Sequence, residues 1–158
     1  CADLGSSTGG FVDCLLRASA EKVYAVERGY GVIDYRLRTD PRVVVMERTD
    51  ALHVRLPGPV RLVTIDVGWT RQRHILPAAT RLLADGGHLI TLVKPHYEAD
   101  PKLLEHGVLP DENLDRVLLD VKSGFAGLNL EPVGETQSPI RGSGGNAEFL
   151  WHLRPTRR

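Results

Sequence analysis

The chain has 158 residues, about one domain's length and enough to bury a sizeable core. Its 20 lysines and arginines balance 20 acidic residues, which excludes a strong overall field drawing it onto nucleic acid or an anionic membrane. Two cysteines exclude a disulfide framework and point to a reducing cytoplasm, and no apolar run approaches the roughly 20 residues that span a bilayer.

Apolar runs alternate with amphipathic ones from end to end, which predicts a parallel α/β sheet with helices on both faces. No signal peptide precedes the first strand-like residues, and a soluble chain is expected; the opening CADLGSSTGG enters its first strand without lead-in residues, so the chain is expected to start inside a longer protein. Strands are predicted over residues 1–4, 22–27, 43–46, 60–66, 88–93, 128–133 and 147–153. The first helix, in GGFVDCLLRAS, has Phe11, Leu15 and Leu16 at helical spacing. The second, RHILPAATRLLA, repeats the pattern through Ile75, Ala79, Leu82 and Leu83, and Gly86 and Gly87 then mark the turn into strand 88–93. The third, DENLDRVLLDVKSG, opens on acidic residues that suit a helix N-terminus. It sets Leu114, Val117, Leu118 and Val121 on one face and has Gly124 as its stop. No internal repeat or low-complexity tract divides the chain, so one domain is expected over 1–158.

The segment DLGSSTGGF falls where the first strand gives way to the first helix. Gly5, Gly9 and Gly10 let the backbone turn tightly and approach a ligand, and the helix start offers free N–H groups. The spacing is not the G-x-G-x-x-G dinucleotide pattern, and no lysine follows it as in a triphosphate-binding loop. Glu27 closes the second strand about 20 residues on, where a carboxylate can accept hydrogen bonds from a ribose diol. Asp50, in ERTDA, stands where it can accept one from an adenine amino group. Adenosine without phosphates fits these residues, and S-adenosylmethionine is such a ligand; the alternative is a plain turn with solvated acids.

Taken together and in order, DLGSSTGGFVDCLL, VYAVERGYG, LRTDPRVVVMERTDA, VTIDVGW, LVKPHYE and GNAEFLWHLR resemble the signature segments of the TlyA or haemolysin-A-like proteins. These are FtsJ-type ribosomal RNA 2′-O-methyltransferases. The resemblance implies a Rossmann-like, seven-stranded class I methyltransferase fold, mostly parallel with the last strand antiparallel. It implies S-adenosylmethionine as methyl donor, ribosomal RNA or a ribosomal subunit as partner, no membrane, and an N-terminal S4-like RNA-binding domain outside this chain. A homodimer stays open. Members carry a Lys-Asp-Lys-Glu tetrad, whose matching positions here are Asp66, Lys94 and Glu148; the first lysine would precede Cys1. The cofactor contacts implied are Asp3, Gly5, Ser6, Ser7, Thr8, Gly9, Gly10 and Phe11 in the glycine loop. To these are added Glu27 and Arg28, then Thr49, Asp50 and Ala51, with Asp66 shared. The chain departs from the family in having Glu27 and Arg28 for an aspartate and a small apolar residue, and DVGWTR for DVSFIS.

Methyl transfer to a ribose hydroxyl is an in-line displacement, and a positioned base contributes about 10²- to 10⁴-fold. Lysine serves as one where burial or a second cation disfavours its ammonium form. Lys94, ending the apolar run HLITLV, is placed for this, with Asp66 to orient it and Glu148 approaching from the final strand; the ordinary reading is a snorkelling surface lysine. Tyr97 is placed either to stack on a flipped base or to pack, and Trp69 and Trp151 are expected to pack. SPIRGSGGNAEF is expected to be a flexible loop in which Arg141 is free to meet phosphate. His74, His88, His96 and His106 show no metal-ligand spacing. The terminal RPTRR is expected to be solvated. Two other functions compete: a non-catalytic module that binds S-adenosylmethionine or RNA, and membrane activity, for which no cationic amphipathic helix speaks. By itself the neutral chain is expected to bind cofactor without efficient RNA methylation.

Overall fold

The computed structural model describes residues 1–156. Seven strands are present: β1 (Ala2–Leu4), β2 (Val23–Val26), β3 (Val43–Met46), β4 (Val60–Ile65), β5 (Leu83–Val93), β6 (Leu130–Gln137) and β7 (Phe149–Pro155). They form one sheet in the order β3-β2-β1-β4-β5-β7-β6. Neighbours from β3 to β5 pair in parallel, whereas β7 runs antiparallel to both β5 and β6. Each predicted strand is found, and the expected antiparallel last strand is β7. The centre of the sheet is apolar and β-branched because it is covered on both sides: Ala2, Leu4, Val63 and Ile65 have no solvent exposure.

Two helical layers do the covering. On one face α1 (Gly10–Arg17) lays Val12, Leu15 and Leu16 against Val23 and Ala25, joined by Leu37 of α2 (Tyr35–Arg38). On the other, Ile75, Leu76 and Ala79 of α3 (Gln72–Thr80) and Phe125 of α5 (Leu114–Gly127) bury against Val63, Leu89, Trp151 and Leu153. Trp151 is the packing residue expected, with Phe125 edge-on at 5.3 Å between ring centroids.

Three details differ from the sequence reading. The helix expected to include Leu82 and Leu83 ends at Thr80, and Leu83 already belongs to β5. Val60 pairs with Leu83 but Leu62 with His88, so residues 84–87 bulge from the ladder; Gly86 takes φ +70° there, and the expected turn becomes an irregularity within one strand. Gly124 does not stop α5, which runs on to Gly127. A glycine inside a helix costs about 1 kcal/mol, less than the roughly 1.5–3 kcal/mol gained by burying a side chain such as Phe125 one residue later. Arg157 and Arg158 of the basic tail lie outside the described residues, and Arg154 pairs with Glu131. Among the described residues no helix is long and apolar enough to cross a membrane.

Candidate active site

Register brings the candidate residues to one level. Leu4 pairs with Val26 on one side and Ile65 on the other, so the residues that follow, Gly5, Glu27 and Asp66, leave the sheet together. The chain order reverses between β1 and β4, which opens a crevice at the carboxyl edge. A cavity of about 370 Å³ fills it, walled by Gly5, Ser7, Glu27, Arg28, Thr49, Asp50, Ala51, Asp66 and Lys94 with apolar Val26, Leu52, Val67 and Ile75.

The glycine loop is shaped by two separate demands. Gly5 has φ +83°, and a Cβ there would overlap the carbonyl oxygen of Asp66 and stand 2.8 Å from its carbon, so only glycine lets these two loops touch. Gly9 faces away from the cavity: a Cβ on it would collide with Leu37 Cδ1, which ties α1 to α2. Thr8, Gly9 and Gly10 line a different groove with Asp13 and Asp34, and Phe11 is half-buried outside the cavity wall. Ser6 is buried and donates its hydroxyl to Asp3 O at 3.0 Å. Of the glycine-loop candidates, Gly5 and Ser7 therefore reach the cavity.

Glu27 does something its position in the sequence did not announce. Its carboxylate accepts the N–H of Ser7 at 2.8 Å and of Gly29 at 2.7 Å, fastening the glycine loop to the turn after β2. Asp50 likewise closes its own turn by accepting the Leu52 N–H at 2.9 Å. Both carboxylates have further lone pairs and both residues line the cavity.

Lys94 leaves β5 and donates to Asp66 Oδ1 at 2.5 Å, the two side chains being 16% and 33% exposed. Val93 pairs with Phe149 across the antiparallel ladder, so Glu148 arrives opposite Lys94. Burial pushes the Glu148 carboxyl above its ordinary range; the Lys94 ammonium opposes the shift and the Asp66 charge adds to it. Pro95 opens the short helix α4 (Pro95–Glu98) at a position that needs no N–H. Glu98 at its end accepts the first N–H of α3 from Gln72 at 2.7 Å, a helix cap supplied from afar that no local pattern signals.

Trp69 overturns its expected role. It is 85% exposed, held at φ +53°, and lies on Tyr97 at 4.6 Å between ring centroids; Tyr97 in turn touches His96 at 4.2 Å. The Lys94 ammonium stands 5.8 Å from the Tyr97 ring. An aromatic shelf thus borders the ion pair. His96 is pushed below the ordinary imidazole value by burial and by Lys94.

Beneath the cavity, Asp3 is 1% exposed. Its Oδ1 accepts the Thr64 hydroxyl at 2.6 Å, while Oδ2 is buried with no hydrogen-bond partner among the described residues. Burial raises its pKa to about 6, with the Asp66 and Glu27 charges adding and the Thr64 bond opposing. The folded state thus holds this proton more tightly than the unfolded one, so the contribution of Asp3 to stability falls as pH rises from about 4 to about 6 and levels off above. Two pKa units correspond to about 3 kcal/mol. Asp3→Asn is expected to abolish that slope, so that its unfolding midpoint in urea at pH 8 exceeds the wild type's relative to pH 4; parallel pH profiles would remove the assignment.

The family model for FtsJ-like methyltransferases matches residues 1–155. The chain belongs to this family. It is similar to YqxC of Bacillus subtilis, which carries an rRNA methyltransferase name, at 40% identity over 157 residues, 96% of this chain and 56% of YqxC. It is 38% identical to the 16S/23S rRNA (cytidine-2′-O)-methyltransferase TlyA of Mycobacterium tuberculosis over 164 residues, 100% of this chain and 61% of TlyA. A solved Streptococcus thermophilus structure with a hemolysin name superposes at TM-score 0.93 with 36% identity, covering 98% of this chain and 58% of its own. The chain thus spans little more than half the length of these relatives. At 16% identity, the N-methyltransferase NodS of Bradyrhizobium japonicum shares the fold, with TM-score 0.65 over 99% of this chain and 85% of NodS.

Proposed function

We propose that this FtsJ-like chain is the catalytic domain of an enzyme that transfers a methyl group from S-adenosylmethionine to a ribose 2′-hydroxyl of ribosomal RNA. The observation that carries the reading is the Lys94–Asp66 ion pair, 2.5 Å long, on the wall of a cavity suited to adenosine. At about 370 Å³ the cavity lies within the usual range of small-ligand sites. Glu27 and Asp50 would accept the ribose hydroxyls and the adenine amino group, and Val26, Ala51, Leu52 and Ile75 would flank the purine. The carboxylates of Glu27, Asp50 and Asp66 on the cavity wall suit a polar, positively charged ligand end better than a phosphate.

When bound, S-adenosylmethionine would supply an electrophilic methyl group carried on a positive sulfur, with the neutral thioether as its leaving group. The chain's own task is to aim that oxygen and relieve it of its proton. Lys94 Nζ, fixed in direction by Asp66, holds the hydroxyl oxygen in line. Glu148, whose proton affinity is raised, accepts the hydroxyl's hydrogen bond, and the proton passes into this cluster of one amine and two carboxylates. Effective alignment of this kind accounts for a large part of such barriers.

The choice of ribosomal RNA follows the names of the relatives, including the 23S rRNA (cytidine-2′-O)-methyltransferase TlyA of Campylobacter jejuni, 30% identical over 155 residues. Phosphate contacts dominate RNA affinity, and with equal numbers of basic and acidic side chains the chain draws that grip from another region of the complete protein, acting in the cytoplasm. The test is transfer of tritium from labelled S-adenosylmethionine into 16S and 23S rRNA by the complete protein, with nucleoside analysis of the product. Label in a ribose 2′-O position supports the reading. Tight cofactor binding with no label in either RNA would leave a cofactor-binding module instead.

The shelf of Trp69 on Tyr97 supplies the resting place for the target's base. Stacking on an aromatic side chain is worth about 1–3 kcal/mol per base, so Trp69→Ala should reduce kcat/KM for RNA by roughly 5- to 150-fold. Trp69→Phe should retain most of the activity, and calorimetry should find cofactor affinity unchanged in both. An unaltered kcat/KM in Trp69→Ala would show the shelf idle.

A further inference from the structure

The carboxylate of Glu148 rests against a glycine. A Cβ on Gly142 would overlap Glu148 Oε1 and stand 2.9 Å from the carboxyl carbon. Gly142 has φ −75°, which any residue adopts, so this glycine is needed for space and not for backbone freedom.

The loop that carries the seat makes hydrogen bonds along its length. Ser138 N–H donates to Glu148 O at 2.8 Å and Gly142 N–H to Asn146 O at 2.8 Å. Arg141, expected to be available to phosphate, instead places Nη1 and Nη2 on the two oxygens of Asp111 at 3.3 and 3.1 Å. Its Nη1 also donates to Gly145 O at 2.9 Å. Asn146 is buried and accepts the Leu109 N–H at 3.0 Å while donating to Gly107 O at 3.1 Å. The loop is thereby clasped to residues 107–111, ahead of α5.

We propose that Gly142 is a positioning residue for Glu148: its missing side chain is the seat of the carboxylate, and the clasp to residues 107–111 fixes that seat beside Lys94. The inference rests on the role given to Glu148 above. A methyl group at position 142 must push the carboxylate aside, and a misplacement of about 1 Å in an active site can cost about 10²-fold in rate.

The experiment is a double-mutant cycle in the complete protein. It compares wild type, Gly142→Ala, Glu148→Ala and the double variant for methyl transfer into unmethylated 16S and 23S rRNA, with S-adenosylmethionine affinity measured by calorimetry. Gly142→Ala is expected to lose about 10²-fold in kcat with cofactor Kd unchanged, which also shows that the variant is folded. It should cost nothing more once Glu148 is already alanine. Gly142→Ala/Glu148→Asp, with a carboxylate one methylene shorter, should recover part of the lost rate. Wild-type kcat in Gly142→Ala, or an equal further loss in the Glu148→Ala background, overturns the seat. A fully active Glu148→Ala instead overturns the role of Glu148, and the seat with it.

Discussion

Lys94→Ala is expected to slow methyl transfer by about 10²- to 10⁴-fold while cofactor affinity, measured by calorimetry, changes little. The ammonium does not brace the fold: its partner Asp66 is one-third exposed, so water replaces the lost bond. The effect should appear in single-turnover transfer of labelled methyl as well as in kcat, because the role proposed for Lys94 lies in the chemical step. Lys94→Arg should fail almost as badly. A planar guanidinium cannot occupy the point position of the ammonium beside Asp66. Transfer within a few-fold of wild type by Lys94→Ala would refute the mechanism.

Gly5→Ala carries the largest expected loss of stability. The left-handed conformation at φ +83° costs a side-chain-bearing residue about 1–2 kcal/mol, and forcing a methyl into filled space adds about 1–3 kcal/mol. The group struck is the backbone of Asp66, so relief of the clash displaces the acid that holds Lys94. Urea unfolding should show a loss of several kcal/mol, and calorimetry a fall in cofactor affinity. Gly10→Ala is the internal control. Nothing stands within 4 Å of its would-be Cβ and it begins α1, so stability should hold or rise. Equal behaviour of the two variants would show that the contact with Asp66 carries no weight.

The strands were legible because burial on both faces leaves an unmistakable run of β-branched residues, as in Val60–Ile65. The short helices α2 and α4 were not, because four residues carry no helical period. What holds them is a cap at Asp34 and a proline start. Lys94, Asp66 and Glu148 were singled out from the resemblance, and the sheet register explains why the strand ends that carry them are neighbours, through pairings between segments distant in sequence. Glu27 could be placed at the crevice from its position after β2, but its double grip on Ser7 and Gly29 depends on a loop 20 residues earlier. Trp69 was misread because an aromatic ring is ordinarily worth most when buried, and only the three-dimensional neighbourhood of Tyr97 shows it held outward. Gly142 carried no signal at all, its φ being unremarkable.

The position of β7 has a consequence for biosynthesis. This strand slots between β5 and β6, so during translation the flank of β5 emerges long before its neighbour exists. Its backbone N–H and C=O groups, later paired with β7 from Leu89 to Val93, offer an open hydrogen-bonding edge to any passing strand. The nascent chain therefore has reason to be guarded until β7 leaves the ribosome, and only the insertion of that strand brings Glu148 alongside the end of β5.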